Sequence, residues 1–313
     1  MKYFITGGSG FLGASLVSKL IERGDQVTVF DDLSRGDQKK LQKDFDKINF
    51  IKGDVRKNKQ ILNNSKGHNY FIHLAAINGT ENFYTNPQSV IDVSVRGILN
   101  AVEACKVNNI PNFVLASSSE VYQKPKTFPT KENVELVIPD VHNPRFSYGG
   151  GKIISELICL NYYKDFFEKL IIFRPHNVYG PAMGNEHVIP QIINKVNSAI
   201  KNKKKKIVIK GSGDQSRTFI YIDDFTNALI KIIDKGKHRN IYHIGNSEET
   251  NIKQLSKKIM NHMGVNLTLE SSSPPEGETD KRLPDNKKIV ELGYNQNVSL
   301  DEGLKKTISW YVS

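Results

Sequence analysis

Short apolar runs alternate with amphipathic stretches through the first half of the chain. Tyr3-Phe-Ile5 is followed by Leu12, Leu16, Leu20 and Ile21 at helical spacing, and Gly24 ends that stretch. Gln26-Val-Thr-Val-Phe30 and Ile48-Asn-Phe-Ile51 read as further strands, with a helix over 56–64 after the second. Asn69-Tyr-Phe-Ile-His-Leu74 is nearly continuously apolar, as a parallel strand covered on both faces should be. A helix over about 87–106 carries Val90, Val93, Gly97, Ile98, Ala101 and Ala104 on one broad face. Asn112-Phe-Val-Leu-Ala116 is the next strand and about 145–165 the next helix. This alternation predicts right-handed βαβ units and an α/β fold on a doubly wound parallel sheet.

From about Tyr179 the alternation breaks, with Gly180, Pro181, Gly184 and Pro190 bracketing a loop before a helix over 189–200. Thr218-Phe-Ile-Tyr-Ile222 and Asn240-Ile-Tyr-His-Ile244 are expected to return to the main sheet, and a helix over 300–312 closes the chain. The sheet unit is therefore expected over 1–178 plus about 218–245. A smaller unit, interleaved in sequence, takes about 179–217 and 246–313.

With 313 residues and 38% hydrophobic content there is enough material for one large or two small domains. No apolar run approaches the ~20 residues of a spanning helix, and the first residues enter a strand without a signal peptide, so a cytoplasmic protein with no membrane partner is expected. Cys105 and Cys159 both fall in predicted helices and read as reduced, buried thiols. Metal-ligand spacing is absent, so no metal is expected. The formal net charge is +11. Its densest run, Lys201-Asn-Lys-Lys-Lys-Lys206, closes a helix and has no interleaved aromatics for base stacking, so no nucleic-acid partner is expected.

The candidate chemistry begins at Thr6-Gly-Gly-Ser-Gly-Phe-Leu-Gly13, between the first strand and the first helix. Gly7 and Gly8 permit a tight turn at positive φ, Gly10 lets backbone amides approach a pyrophosphate, and Gly13 lets helix and strand pack closely. The helix N-terminus adds amide donors and partial positive charge. Asp31 and Asp32, ~20 residues on at the end of the second strand, complete the pattern of a dinucleotide site in a Rossmann sheet. Asp31 would accept hydrogen bonds from the adenosine ribose and repel a 2′-phosphate, which favours NAD over NADP; Arg35 is outweighed by two adjacent carboxylates. Asp54, beside Val55, falls where an adenine amino group would be read. Leu74, Ala75 and Ala76 leave room for a ligand at a strand's C-terminal end, and Phe11 and Leu12 complete the expected lining. His73 reads as a packed strand residue. Tyr148 and Lys152 lie four apart and share a helix face. A free phenol, pKa near ~10, is a poor base at neutral pH, but a nearby ammonium and the charge of an oxidised nicotinamide would lower it and make Tyr148 a usable general base.

Over essentially its whole length the sequence resembles the extended short-chain dehydrogenase/reductase family, in its nucleotide-sugar epimerase, dehydratase and decarboxylase branch. Besides the glycine turn, the resemblance rests on Gly53-Asp54, His73-Leu-Ala-Ala76, the serine run before Val121-Tyr122, and Tyr148-x-x-x-Lys152. It continues through Arg174-Pro-His-Asn177-Val-Tyr-Gly-Pro181, Gly211-Ser-Gly-Asp-Gln-Ser-Arg217-Thr-Phe219, Asp223-Asp224 and Arg282-Leu-Pro-Asp285 before Leu292-Gly293. It implies that Tyr148 takes the proton of a sugar C4 hydroxyl while C4 is oxidised by NAD, giving a bound 4-keto sugar. Ser118, with Ser119 the less favoured candidate, would hold that hydroxyl. Asn177 would contact the substrate near its diphosphate, and Arg217 and Arg282 would pair with the phosphates. The partner is then a nucleotide-diphosphate sugar. Residues 271–286, with Pro274, Pro275, Gly277 and Pro284, would form a mobile loop over the sugar. The helices over 87–106 and 145–165 resemble those that pair across dimers in the family, so a homodimer or homotetramer is expected.

The fate of the keto sugar is read from departures and agreements. Dehydratases carry an Asp-Glu pair after the serine or threonine; here it is Ser119-Glu120, which removes the acid, although Glu120 could still act as a base. Decarboxylases share a Thr-Ser-Glu arrangement and an arginine aligned with Arg217, which keeps that reading open. An epimerase needs only Tyr148 and room for the sugar to turn over, and is the favoured outcome. Net dehydrogenation, with the keto sugar released, stays open as well, as does a non-catalytic NAD sensor. Gln123 stands where glycine is usual, Ser94 where asparagine is usual, and Tyr148 is followed by three glycines where a serine commonly precedes the lysine.

Overall fold

The computed structural model describes residues 1–273 and 279–313. The first half runs β1 (Lys2–Thr6), α1 (Phe11–Glu22), β2 (Gln26–Asp31), β3 (Ile48–Lys52), α2 (Asn58–Asn64), β4 (Tyr70–His73), α3 (Thr80–Thr85), α4 (Pro87–Val107), β5 (Asn112–Ala116), α5 (Ser147–Asn161) and β6 (Lys169–Pro175). Then come β7 (Val178–Tyr179), α6 (Val188–Lys201), β8 (Lys206–Lys210), β9 (Ser216–Thr218), β10 (Ile220–Tyr221), α7 (Ile222–Lys235) and β11 (Asn240–Ile244). β12 (Glu249–Asn251), α8 (Ile252–His262), β13 (Thr268–Ser272), β14 (Lys281–Arg282), α9 (Lys287–Glu291) and α10 (Leu300–Val312) follow.

Seven strands form one parallel sheet in the order β11-β6-β5-β4-β1-β2-β3. The expected doubly wound Rossmann sheet is thus present. Side chains alternate across it. Tyr3, Ile5, Val29, Ile72 and Val114 join α1 and α7 in one core, whereas Phe4, Phe30, Phe71 and Phe113 pack with α4 in the other. Phe4, Phe71 and Phe113 make a ladder across three strands, with ring centroids 5.0 and 5.5 Å apart. Each buried ring contributes roughly 1.5–3 kcal/mol. Strand order reverses between β1 and β4, and in such sheets the crevice at that point takes the ligand.

Two boundaries differ from expectation. Thr218–Ile222 does not join the main sheet: β10 pairs with β7 and β9 with β12 and β14, because the chain crosses the sheet's end there before re-entering at β11. The helix expected over 145–165 is α5, shorter at both ends; Pro144–Phe146 forms a 3₁₀ turn capped by Asn143. Of the expected loop over 271–286, residues 274–278 lie outside the described residues. Its flanks pair as β13 with β8 and β14 with β9. Cys105 and Cys159 are buried free thiols. Among the described residues no helix is long and apolar enough to cross a membrane.

Candidate active site

A cavity of about 370 Å³ opens at the C-terminal ends of β1, β2, β4 and β5. On one side it is built almost wholly from backbone. Gly7 takes φ +74, and its amide donates to the Phe30 carbonyl at 2.9 Å. A Cβ on Gly13 would sit 2.3 Å from the Gly7 carbonyl oxygen, so the start of α1 is pressed against the turn. Gly8 is not at positive φ, contrary to expectation; its place is dictated by Val29, 2.8 Å from where a Cβ would be. Gly10, Phe11, Leu12 and Gly13 line the cavity, bringing the unpaired first-turn amides of α1 to it. Asp31 Oδ2 accepts from the Ser9 amide and Oδ1 from the Leu33 amide, each at 2.9 Å. Burial raises its pKa against those two donors. Asp32, Val55, Leu74, Ala75 and Ala76 also reach the wall.

The other side is built from side chains. A single 3₁₀ turn, Ser119–Tyr122, is capped by Ser118, whose Oγ accepts from the Glu120 amide at 3.1 Å. Ser118 also hydrogen-bonds the Tyr148 hydroxyl from the first turn of α5. Lys152, one turn on, is buried and donates to the Ala116 carbonyl at 2.7 Å, with its Nζ 5.7 Å from the centre of the Tyr148 ring. Phe83 stacks on that ring, 5.1 Å away and 11° from parallel. Arg145 lies over Phe83. Burial pushes the Tyr148 phenol up from its ordinary value, against the Ser118 hydrogen bond. The expected lowering by Lys152 is corrected on this point: desolvation dominates, because the ammonium points at the end of β5. Burial brings Lys152 itself down to about 8, with Glu156 opposing.

Glu120 is clamped. Its carboxylate meets Arg282 at 2.7 Å and Arg145 at 3.0 Å. Burial works to raise its pKa, but Arg282 and then Arg145 outweigh it and hold the carboxyl at about 2. Beneath this turn Arg174 forks onto Glu156 at 2.8 and 2.5 Å and also reaches Tyr122, which bonds His243 at 2.6 Å. Ser117 donates to the same Glu156. Such a buried, paired network fixes its members, since losing one partner strands a charge at a cost of about 3–5 kcal/mol.

Most of the residues singled out in the sequence converge here. Ser118, Ser119, Glu120, Tyr148, Lys152, Asn177 and Arg282 all line the cavity. Two do not. The Asp54 carboxylate turns back onto Arg56 at 2.7–3.0 Å. Arg217 donates to the carbonyls of Ser216, Thr279 and Asp280. It is Arg282, not Arg217, that reaches Glu120. Arg35 is turned away from Asp31 to pair with Glu186 and the Asn78 carbonyl. His73 is packed as expected, its Nδ1 2.8 Å from Thr6 Oγ1. Phe83, Arg145, Lys40 and His187 were not anticipated. Arg145, three before Tyr148, carries a signal as a charged residue one turn ahead of the Tyr-x-x-x-Lys pair; Phe83 carries none.

A doubly wound sheet with a glycine turn at its switch point and a Tyr-x-x-x-Lys helix beside the cavity defines the extended short-chain dehydrogenase/reductase class. Within it, the chain belongs to the NAD dependent epimerase/dehydratase family, whose model matches residues 3–245. The chain is 31% identical to a putative UDP-glucose 4-epimerase of Methanocaldococcus jannaschii, over 98% of this chain and 97% of that one. It is 29% identical to a UDP-N-acetyl-alpha-D-glucosaminuronate decarboxylase of Bacillus cytotoxicus, over 98% and 96%. Among solved structures, the UDP-glucose 4-epimerase of Thermotoga maritima with UDP-glucose superposes with a TM-score of 0.88 at 27% identity, covering 100% of this chain and 99% of that one.

Proposed function

We propose that the chain is an NAD-using sugar-nucleotide 4-epimerase, oxidising C4 of a nucleotide-diphosphate sugar and restoring it with inverted configuration. One observation carries this reading: Tyr148, hydrogen-bonded to Ser118 above buried Lys152, stands on the cavity wall beside a glutamate too acidic to serve as a base. The backbone cradle fits a dinucleotide, because Gly10 and the α1 amides face the cavity where a diphosphate needs donors, and Asp31 stands where a ribose needs an acceptor. Asp32, Val55 and Leu74 to Ala76 would line its adenosine and nicotinamide ends. Bound there, NAD supplies a reversible two-electron acceptor at C4. Ser118 orients the C4 hydroxyl, and Tyr148 takes its proton and later returns it. The charge of a bound oxidised nicotinamide, added to the Ser118 hydrogen bond, would oppose the desolvation that holds the phenol protonated, while Lys152 is held on the Ala116 carbonyl one turn along α5. Asn177 and Arg282 would hold the substrate further out, and the nucleotide would extend towards Glu186 and His187. To reach adenine and phosphate, Asp54 would exchange Arg56, and Arg217 the carbonyls of Ser216, Thr279 and Asp280, for the ligand.

Dehydration is disfavoured twice over: Ser119 cannot donate as an acid would, and Glu120 is held as a weakly basic carboxylate. Decarboxylation is the second reading. A 4-keto sugar bearing a C5 carboxylate loses carbon dioxide without a dedicated base, and Arg282 on the cavity wall could receive such a carboxylate. We further read exposed Ile91, Ile154 and Leu157 on α4 and α5 as the contact of a homodimer, or of a homotetramer repeating it.

Incubation with NAD and UDP-glucose, UDP-galactose, UDP-glucuronate and dTDP-glucose, with products identified by mass and NMR, tests this. Epimerisation leaves the mass unchanged, decarboxylation removes carbon dioxide, and net oxidation removes two hydrogens. Bound cofactor with no product from any of them, and no difference in Tyr148→Phe, would leave only a dinucleotide sensor.

A further inference from the structure

Gln123 and the glycines after Tyr148 depart from the family pattern separately in the sequence. In the fold two of them meet. Gln123 is 2% exposed and sits at φ +50, a left-handed backbone that side chains rarely adopt. Its Nε2 donates to the Glu120 carbonyl at 2.6 Å. A Cβ on Gly149 would lie 2.4 Å from that same Nε2 and 3.0 Å from the Glu120 carbonyl oxygen. The amide of Gln123 therefore occupies the space that any larger residue at 149 would claim. Glycine is a poor helix former even in the first turn, where Gly149 stands, so its presence here calls for a reason, and the Gln123 amide is one. The main-chain carbonyl of Gln123, not its side-chain oxygen, accepts from Thr279 Oγ1 at 2.9 Å, and Thr279 Oγ1 accepts in turn from Arg282 at 3.3 Å. Arg282 returns to the Glu120 carboxylate at 2.7 Å. Glu120, Gln123, Thr279 and Arg282 close a ring that joins the turn carrying Ser118 to the segment carrying Arg282.

We infer that Gln123 is a positioning residue: its side-chain amide, tied to the Glu120 carbonyl, holds the turn at the strained φ that presents the Gln123 main-chain carbonyl to Thr279, so that the Ser118–Glu120 turn stays locked to the 279–282 segment, and Gly149 is needed to admit that side chain. The catalytic consequence rests on the proposed function; the lock itself does not. Substituting Gln123→Gly fits the positive φ and removes only the side chain, so this variant is expected to fold. Gly149→Ala expels the amide by collision. Hydrogen exchange read by mass spectrometry should quicken at least tenfold in peptides covering 117–123 and 279–283 in either variant, with 7–13 unchanged. The double variant should lie close to Gln123→Gly alone, because the collision with the Gln123 amide is gone and only the 3.0 Å approach to the Glu120 carbonyl oxygen is left. With the sugar nucleotide that the product screen shows to turn over, kcat should fall about tenfold in Gln123→Gly while KM for NAD holds. If exchange at 279–283 does not respond to Gln123→Gly, or if the two substitutions combine independently, the lock is wrong. If no sugar nucleotide turns over in the parent protein, the function proposed above fails and the exchange experiment still decides this inference.

Discussion

The two walls of the cavity solve the problem of binding in opposite ways. The wall made by β1, α1 and β2 uses backbone amides and the absence of side chains, with Asp31 as its one buried carboxylate, itself held by two amides. The wall made by the 118–122 turn, α5 and the 279–282 segment uses long polar side chains locked by buried ion pairs. A backbone-built wall depends on steric fit and responds little to pH. A wall built of ion pairs depends on every partner staying charged, so its stability should carry the acid limb of the whole protein.

The sharpest separation of the walls is expected from Tyr148→Phe, which keeps the stack on Phe83 but removes the hydroxyl. Turnover should drop about 10³-fold with NAD affinity unchanged, as steady-state rates and cofactor titration would show. Next, Glu120→Gln strands Arg145 and Arg282 and should destabilise the protein by about 2 kcal/mol near neutral pH in urea unfolding, somewhat less than for a fully buried pair. Because the folded Glu120 sits at about 2 and an unfolded glutamate near 4.5, its stabilisation is complete above the higher value and fades as pH falls towards the lower. The Gln variant should lack that part of the acid limb. Asp31→Ala should weaken NAD about tenfold and NADP by less, since only the first gains ribose hydrogen bonds to this carboxylate; equal losses for both would remove Asp31 from the cofactor wall. Smallest at the site itself, Leu157→Glu should leave cofactor binding intact while lowering the mass seen in sedimentation, if α5 forms the subunit contact.

The backbone-built wall was the more legible of the two. Strand periodicity placed Gln26–Phe30, and glycine spacing placed the turn, because both express local backbone rules. Even there Gly8 was misread, since its reason is a neighbouring strand's Val29 rather than its own φ. The other wall depends on contacts distant in sequence. That Glu120 is shared by residues 25 and 162 positions away cannot be read from local pattern. The present partner of Asp54 is likewise invisible in the pattern: its carboxylate pairs with Arg56, two residues on, while its neighbours Gly53 and Val55 line the cavity. The departures at Ser94 and Gln123 looked like separate oddities, yet Gly151 lies against Ser94 and Gly149 against Gln123, so each departure is matched by a glycine of α5.

The central claim is that Tyr148 moves the proton of a C4 hydroxyl while C4 is oxidised. The sugar nucleotide that the product screen shows to turn over, deuterated at C4, tests this most directly. Turnover should be slower than with the protiated sugar, the epimer should keep its mass and its deuterium, and Tyr148→Phe should form no epimer. Deuterium lost from the epimer, or epimer formed by Tyr148→Phe at the parent rate, would contradict the claim.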